Sequence, residues 1–144
     1  MAKVLYFLKL ISTFASEMTG LYIHIPFCAS RCVYCGFYST TLPALRDAYV
    51  DALCQELMLR AEELPADEAL TTIYLGGGTP SQLTTDQLDR LFSYIYKEYR
   101  PQPVEVTMEC NPDDITPAFA GWIAQSPIDR ISMGAQTFSC DRLR

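Results

Sequence analysis

The sequence predicts an α/β fold, a parallel sheet with helices on its outer face that forms part of a barrel. Three observations carry this. Strand-like and helix-like segments alternate along the chain in the order βαβαβαβ, the pattern of a parallel sheet with crossover helices. The predicted strands share one apolar face and one polar face. The loops richest in cysteine and glycine all follow strands, at the carboxyl end where α/β sheets bind ligands.

Residues 1–19 stand apart as a doubtful N-terminal extension. Their apolar run from Val4 to Ile11 is interrupted by Lys9 and is too short to span a bilayer. Three readings stay open: a start placed too early, with Met18 the natural first residue; an additional helix; or a weak signal peptide. No transmembrane segment is expected.

The first predicted strand is "LYIHIPF" at 21–27, which alternates and ends near Pro26. Leu45, Tyr49, Leu53 and Leu57 then recur every four residues, giving an amphipathic helix over 43–64 with Pro43 in its first turn. "TTIYLGGG" is a second strand running into glycines. Thr84 and Gln87 form a capping box opening a second helix, with Leu88, Leu91 and Ile95 on its apolar face. "VEVTMECNP" is a third strand stopped by Pro112. Thr116 and Pro117 open a third helix carrying Phe119, Trp122 and Ile123. "DRISMGAQTF" is the fourth strand.

Strand parity collects Leu21, Ile23, Ile25, Ile73, Leu75, Val104, Val106, Met108, Ile131 and Met133 on the face that helices would cover. The opposite face collects Tyr22, His24, Tyr74, Gly76, Glu105, Thr107, Glu109, Arg130, Ser132, Gly134 and Gln136. A sheet curled around a ligand explains that polar row; a dry barrel centre does not. Four strands fall short of a closed barrel, which needs about 250 residues. The expectation is therefore a truncated N-terminal half of a larger domain, over residues 20–144.

The chain holds 144 residues with a net charge of −6, which argues against a nucleic-acid backbone binder. Its six cysteines sit in an alternating α/β pattern rather than a small loop-rich disulfide scaffold. A reducing, cytoplasmic setting is expected, with association to a membrane surface left open.

Three cysteines, Cys28, Cys32 and Cys35, follow the first strand at spacing x3 and x2. A Cys3His zinc site completed by His24 is one reading. A cubane iron–sulfur cluster is the other: with only three thiolates, one iron stays open to a small molecule. A disulfide leaves one thiol over. The zinc reading explains the cysteines but neither the polar sheet face nor the glycines. His24, the single histidine, reads as an interior hydrogen-bonded residue or as a support for the cysteine loop. Cys54, Cys110, Met108 and Met133 read as core. "GGGTP" lacks the Gly-Lys-Ser/Thr that a phosphate loop requires.

Cys28-x3-Cys32-x2-Cys35 after a strand resembles the radical S-adenosylmethionine (SAM) superfamily. "LYIHIPFC", "YLGGGTPS", "ECNPDDIT" and "RISMGAQTF" further resemble the family of oxygen-independent coproporphyrinogen III oxidases and haem chaperones of the HemW type, over residues 20–144. The resemblance implies the N-terminal portion of a radical-SAM partial TIM barrel. It implies a [4Fe–4S] cluster on Cys28, Cys32 and Cys35, with S-adenosylmethionine at the open iron. Matched by position, the family's cofactor contacts fall on Tyr22, Tyr34, Gly36, Gly78, Thr79, Glu109 and Gln136, and Gly77 beside them allows close backbone approach. The oxidase carries a further cysteine two residues after the third; here that position is Phe37. Phe37 favours the chaperone type, which implies haem as ligand or cargo, haem-acceptor proteins and an electron donor. The alternative is radical oxidative decarboxylation of coproporphyrinogen III.

Overall fold

The computed structural model describes residues 5–10, 18–102, 105–137 and 139. It forms a five-stranded sheet in sequential order, with β1 (Leu5–Leu10), β2 (Met18–Ile25), β3 (Leu70–Gly77), β4 (Glu105–Cys110) and β5 (Arg130–Met133). Strands β2 to β5 are parallel, as the alternating pattern predicts. β1 runs antiparallel to β2, pairing Leu5 with Ile23 and Leu10 with Met18. The extra-helix reading of this stretch is therefore replaced, over 5–10, by an edge strand. Residues 1–4 and 11–17, Val104 and Cys140 lie outside the described residues.

Register fixes the two faces. Tyr22 pairs with Tyr74 and His24 with Gly76, while Ile73 pairs with Val106 and Leu75 with Met108. Leu21, Ile23, Ile25, Ile73, Leu75, Val106 and Met108 are all buried under the helices. Helix α1 spans Arg46–Leu59 and buries Val50, Leu53, Cys54 and Leu57. Helix α2 spans Thr85–Tyr99 and buries Leu88, Leu91 and Ile95 completely. Each such side chain contributes about 1.5–3 kcal/mol relative to remaining exposed. The two helices pack together, and Asp47 of α1 accepts hydrogen bonds from Gln87 Nε2 (2.9 Å) and Arg90 Nη2 (3.3 Å) of α2.

The capping box is present. Thr84 Oγ1 accepts from Gln87 N–H at 3.2 Å, and Gln87 Oε1 accepts from Thr84 N–H at 3.0 Å. Helix α3 spans Pro117–Ile123, capped by Thr116 Oγ1 accepting from Phe119 N–H, with Phe119, Trp122 and Ile123 partly buried against the core.

Two further expectations are corrected. The first helix does not run unbroken from 43 to 64: Pro43–Leu45 and Ala61–Glu63 are 3₁₀ turns. At three residues per turn, the first of these takes Leu45 out of phase with Tyr49 and Leu53, and it is exposed. At the other end, Arg60 bonds back to Glu56 and forward to Glu63, closing the helix. Met133, assigned to the core by parity, is 53% exposed. It ends β5, an edge strand only four residues long, where no described helix covers it.

Candidate functional site

The parallel strands end on one side, where their exit loops surround an open cleft of about 520 Å³. The cleft is lined by Cys28, Cys32, Tyr34, Cys35, Gly77, Gly78, Thr79, Glu109 and Gln136. Nine of the residues expected at the site thus come together from β2, β3, β4 and β5. Tyr22 and Gly36 do not line the cleft. Tyr22 lies on β2 behind it, and a Cβ built on Gly36 would meet nothing within 4 Å.

The cysteine loop leaves β2 after Pro26 and is pinched at its neck. Phe27 bridges Thr40; Cys28 N–H donates to Thr40 O (3.0 Å) and Thr40 N–H to Pro26 O (2.7 Å). Inside the loop, Cys35 N–H donates to Cys32 O at 3.1 Å, forming a turn. Cys32 is exposed, while Cys28 and Cys35 are half-buried. The Tyr34 phenol has a raised pKa through its hydrogen bond and charge interaction with Cys32.

The glycine loop packs directly against the cysteine loop. Gly78 N–H donates to Ile25 O at 2.8 Å. A Cβ on Gly78 would lie 2.8 Å from Phe27 O and 3.0 Å from Cys28 Sγ, so only glycine allows this approach. Gly77 has φ +116, and a Cβ there would lie 2.5 Å from the His24 ring. Thr79 Oγ1 points its hydroxyl at Cys28 Sγ, 3.7 Å away.

Glu109, from β4, forms the far wall. Its Oε2 accepts from Gly77 N–H at 3.0 Å and its Oε1 from Tyr74 Oη at 2.7 Å. Burial first, and then the Glu109 contact, push the Tyr74 phenol up to about 12, so it remains a donor at neutral pH.

His24 supports the loop rather than completing a metal site. Its Nε2 lies 3.0 Å from Tyr38 O and its Nδ1 3.2 Å from Tyr22 Oη. A carbonyl only accepts, so in the neutral ring Nε2 carries the proton and Nδ1 accepts from Tyr22. With both nitrogens engaged, the Cys3His zinc reading loses its fourth ligand.

Residues outside the sequence expectation also reach the cleft: Phe37, Asn111 and Pro112, with Cys110 and Met133, which parity assigned to the core. Cys110 is nonetheless buried, and Cys54 is core as expected. Asp114, which the sequence reading did not place at the site, accepts from Ser81 Oγ (2.5 Å) and Gln82 Nε2 (2.7 Å), tying the glycine loop to the β4 exit. The Ser–Asp spacing of 33 positions carries no local signal in sequence.

A parallel sheet with a three-cysteine loop, a glycine loop and a carboxylate at one mouth defines a class. The radical SAM superfamily pattern matches residues 22–144, and the chain belongs to that superfamily. Within it, the chain is similar to the haem chaperone HemW of Lactococcus lactis, 40% identical over 120 residues, covering 82% of this chain and 30% of that protein. It is 36% identical to HemW of Bacillus subtilis, covering 88% and 34%. It is 32% identical to the oxygen-independent coproporphyrinogen III oxidase of Salmonella typhimurium, covering 92% and 30%. Among solved structures it matches the radical SAM enzyme coproporphyrinogen III oxidase (HemN) of Escherichia coli, with a TM-score of 0.73 and 32% identity over 83% of this chain and 28% of that one. The chain thus spans about a third of the length of the curated relatives it matches.

The superfamily implies a [4Fe–4S] cluster and S-adenosylmethionine, and the residues present fit them. Three thiols line one cleft, Gly78 brings the glycine loop against Cys28, and a carboxylate held by Gly77 N–H lines the same cleft. Among the described residues, no group of three ligating side chains is already gathered to hold a metal ion. No described helix is long and apolar enough to cross a membrane.

Proposed function

We propose that this chain is the cluster- and cofactor-binding region of a haem chaperone of the HemW type. Cys28, Cys32 and Cys35 would hold a [4Fe–4S] cluster. Gly77, Gly78 and Thr79 would receive S-adenosylmethionine beside it, Glu109 would accept from its ribose hydroxyls, and Tyr34, Gly36 and Gln136 would flank it, with Tyr22 acting from behind through His24. When bound, the cluster and S-adenosylmethionine supply one-electron chemistry at a sulfonium; the chain's own residues ligate, orient and exclude water. The carrying observation is that three thiols, the glycine loop and Glu109 share one cleft at the carboxyl ends of parallel strands.

Haem is the proposed cargo, haem-acceptor proteins and an electron donor the proposed partners, and the cytoplasm the proposed compartment. The HemW relatives support this, as does Phe37, which lines the cleft where the oxidase type has a further cysteine. The second reading, decarboxylation of coproporphyrinogen III, draws on the oxidase relatives.

Anaerobic reconstitution with iron and sulfide tests the site. Cys32→Ser should lose bound iron and sulfide while Cys54→Ala retains both; equal content in the two variants would overturn the assignment. Saturable haem binding without porphyrinogen turnover is the chaperone outcome, and turnover is the oxidase outcome.

A further inference from the structure

Tyr74 is absent from the cleft wall, yet it touches what shapes it. It stands on β3, and its hydroxyl donates to Glu109 Oε1 at 2.7 Å across 35 positions of sequence. The other carboxylate oxygen, Oε2, accepts from Gly77 N–H at 3.0 Å. The Tyr74 ring stacks on Tyr22, with centroids 5.9 Å apart and planes 22° apart.

A carboxylate held at one oxygen still swings about its terminal torsion, which is broad and roughly two-fold. Held at both, it is fixed in plane. Each oxygen keeps a further acceptor position, so a pinned carboxylate remains able to accept from a ligand. Fixing it before binding removes an ordering cost from the binding step. The backbone N–H of Gly77 supplies one pin, and among the described residues Tyr74 supplies the other.

We propose that Tyr74 is a positioning residue for cofactor binding, fixing the plane of the Glu109 carboxylate against Gly77 so that it is preset to receive the hydroxyl groups of a nucleoside. This rests on the reading of Glu109 as a nucleoside contact. Its reach extends to the cysteine loop, because Tyr22, stacked on Tyr74, bonds His24, and His24 bonds the Tyr38 carbonyl.

The test is a double-mutant cycle on the anaerobically reconstituted protein, reading the dissociation constant of S-adenosylmethionine by equilibrium dialysis. Tyr74→Phe keeps the ring and its stack and removes only the hydroxyl. It should weaken binding about three- to tenfold, the scale of ordering one freed side chain on binding, with iron and sulfide content unchanged. Glu109→Ala should weaken binding by more. In the Glu109→Ala background, Tyr74→Phe should add less than about twofold, because its partner is gone. A merely structural tyrosine would cost the same factor in both backgrounds, and that result overturns the proposal. So does unchanged affinity in Tyr74→Phe while Glu109→Ala binds weakly, which leaves the Glu109 assignment standing. If Glu109→Ala binds as tightly as the parent, the nucleoside reading of Glu109 falls first and takes this inference with it.

Discussion

Cys110 and Cys32 carry the same functional group in opposite surroundings. Cys110 is buried, and burial with the nearby Asp114 raises its pKa to about 11 from an ordinary 9.0. Cys32 is exposed on the loop. The thiolate is the reactive form, so iodoacetamide at pH 8 should modify Cys32 first and spare Cys110 and Cys54 in the folded, metal-free protein, read by peptide mass spectrometry. The sign for stability follows. Cys110 holds its proton more tightly folded than unfolded, so its contribution is whole below pH 9.0 and is lost as pH rises toward about 11. Chemistry of this kind is readable in sequence where residue type and spacing state it, as at Cys28, Cys32, Cys35, Gly77 and Gly78. Tyr74 and Asp114 were not legible in that way. Their partners lie 35 and 33 positions away, and only the register of parallel strands brings them together.

Thr84 illustrates what a few local atoms do for an element. Its hydroxyl and the Gln87 amide satisfy two backbone N–H groups at the start of α2. Thr84→Ala should cost about 1 kcal/mol, read as a lower urea midpoint with an unchanged slope. The helices were largely legible because their caps and four-residue periodicity are local. Their ends were less so. The stop at Leu59 depends on Arg60 reaching both Glu56 and Glu63, and the exposure of Leu45 depends on a tight turn that breaks the period. Strand β5 ends at Met133, its fourth residue, while alternation continues to Gln136. Alternation records a pattern of faces, whereas a strand also needs a partner to pair with.

At the scale of the whole molecule, the four parallel strands and their two faces follow from alternation, whereas β1 does not. An apolar run such as "VLYFLKLI" suits a helix or a strand, and pairing antiparallel to β2 is a nonlocal choice. A chain beginning at Met18 would bare the β2 edge along the six positions that β1 pairs. Exposed edges invite pairing between molecules, so this variant should melt lower and show concentration-dependent light scattering. Unchanged melting and scattering would mean that β1 contributes nothing.

The Phe27–Thr40 bridge has a mechanical consequence for the same molecule. With the Cys28 N–H to Thr40 O and Thr40 N–H to Pro26 O bonds, it closes the stretch that carries the three thiols into a ring. A pull on that ring meets the two backbone bonds at its neck before it meets β2, so loop and sheet are joined along one short seam.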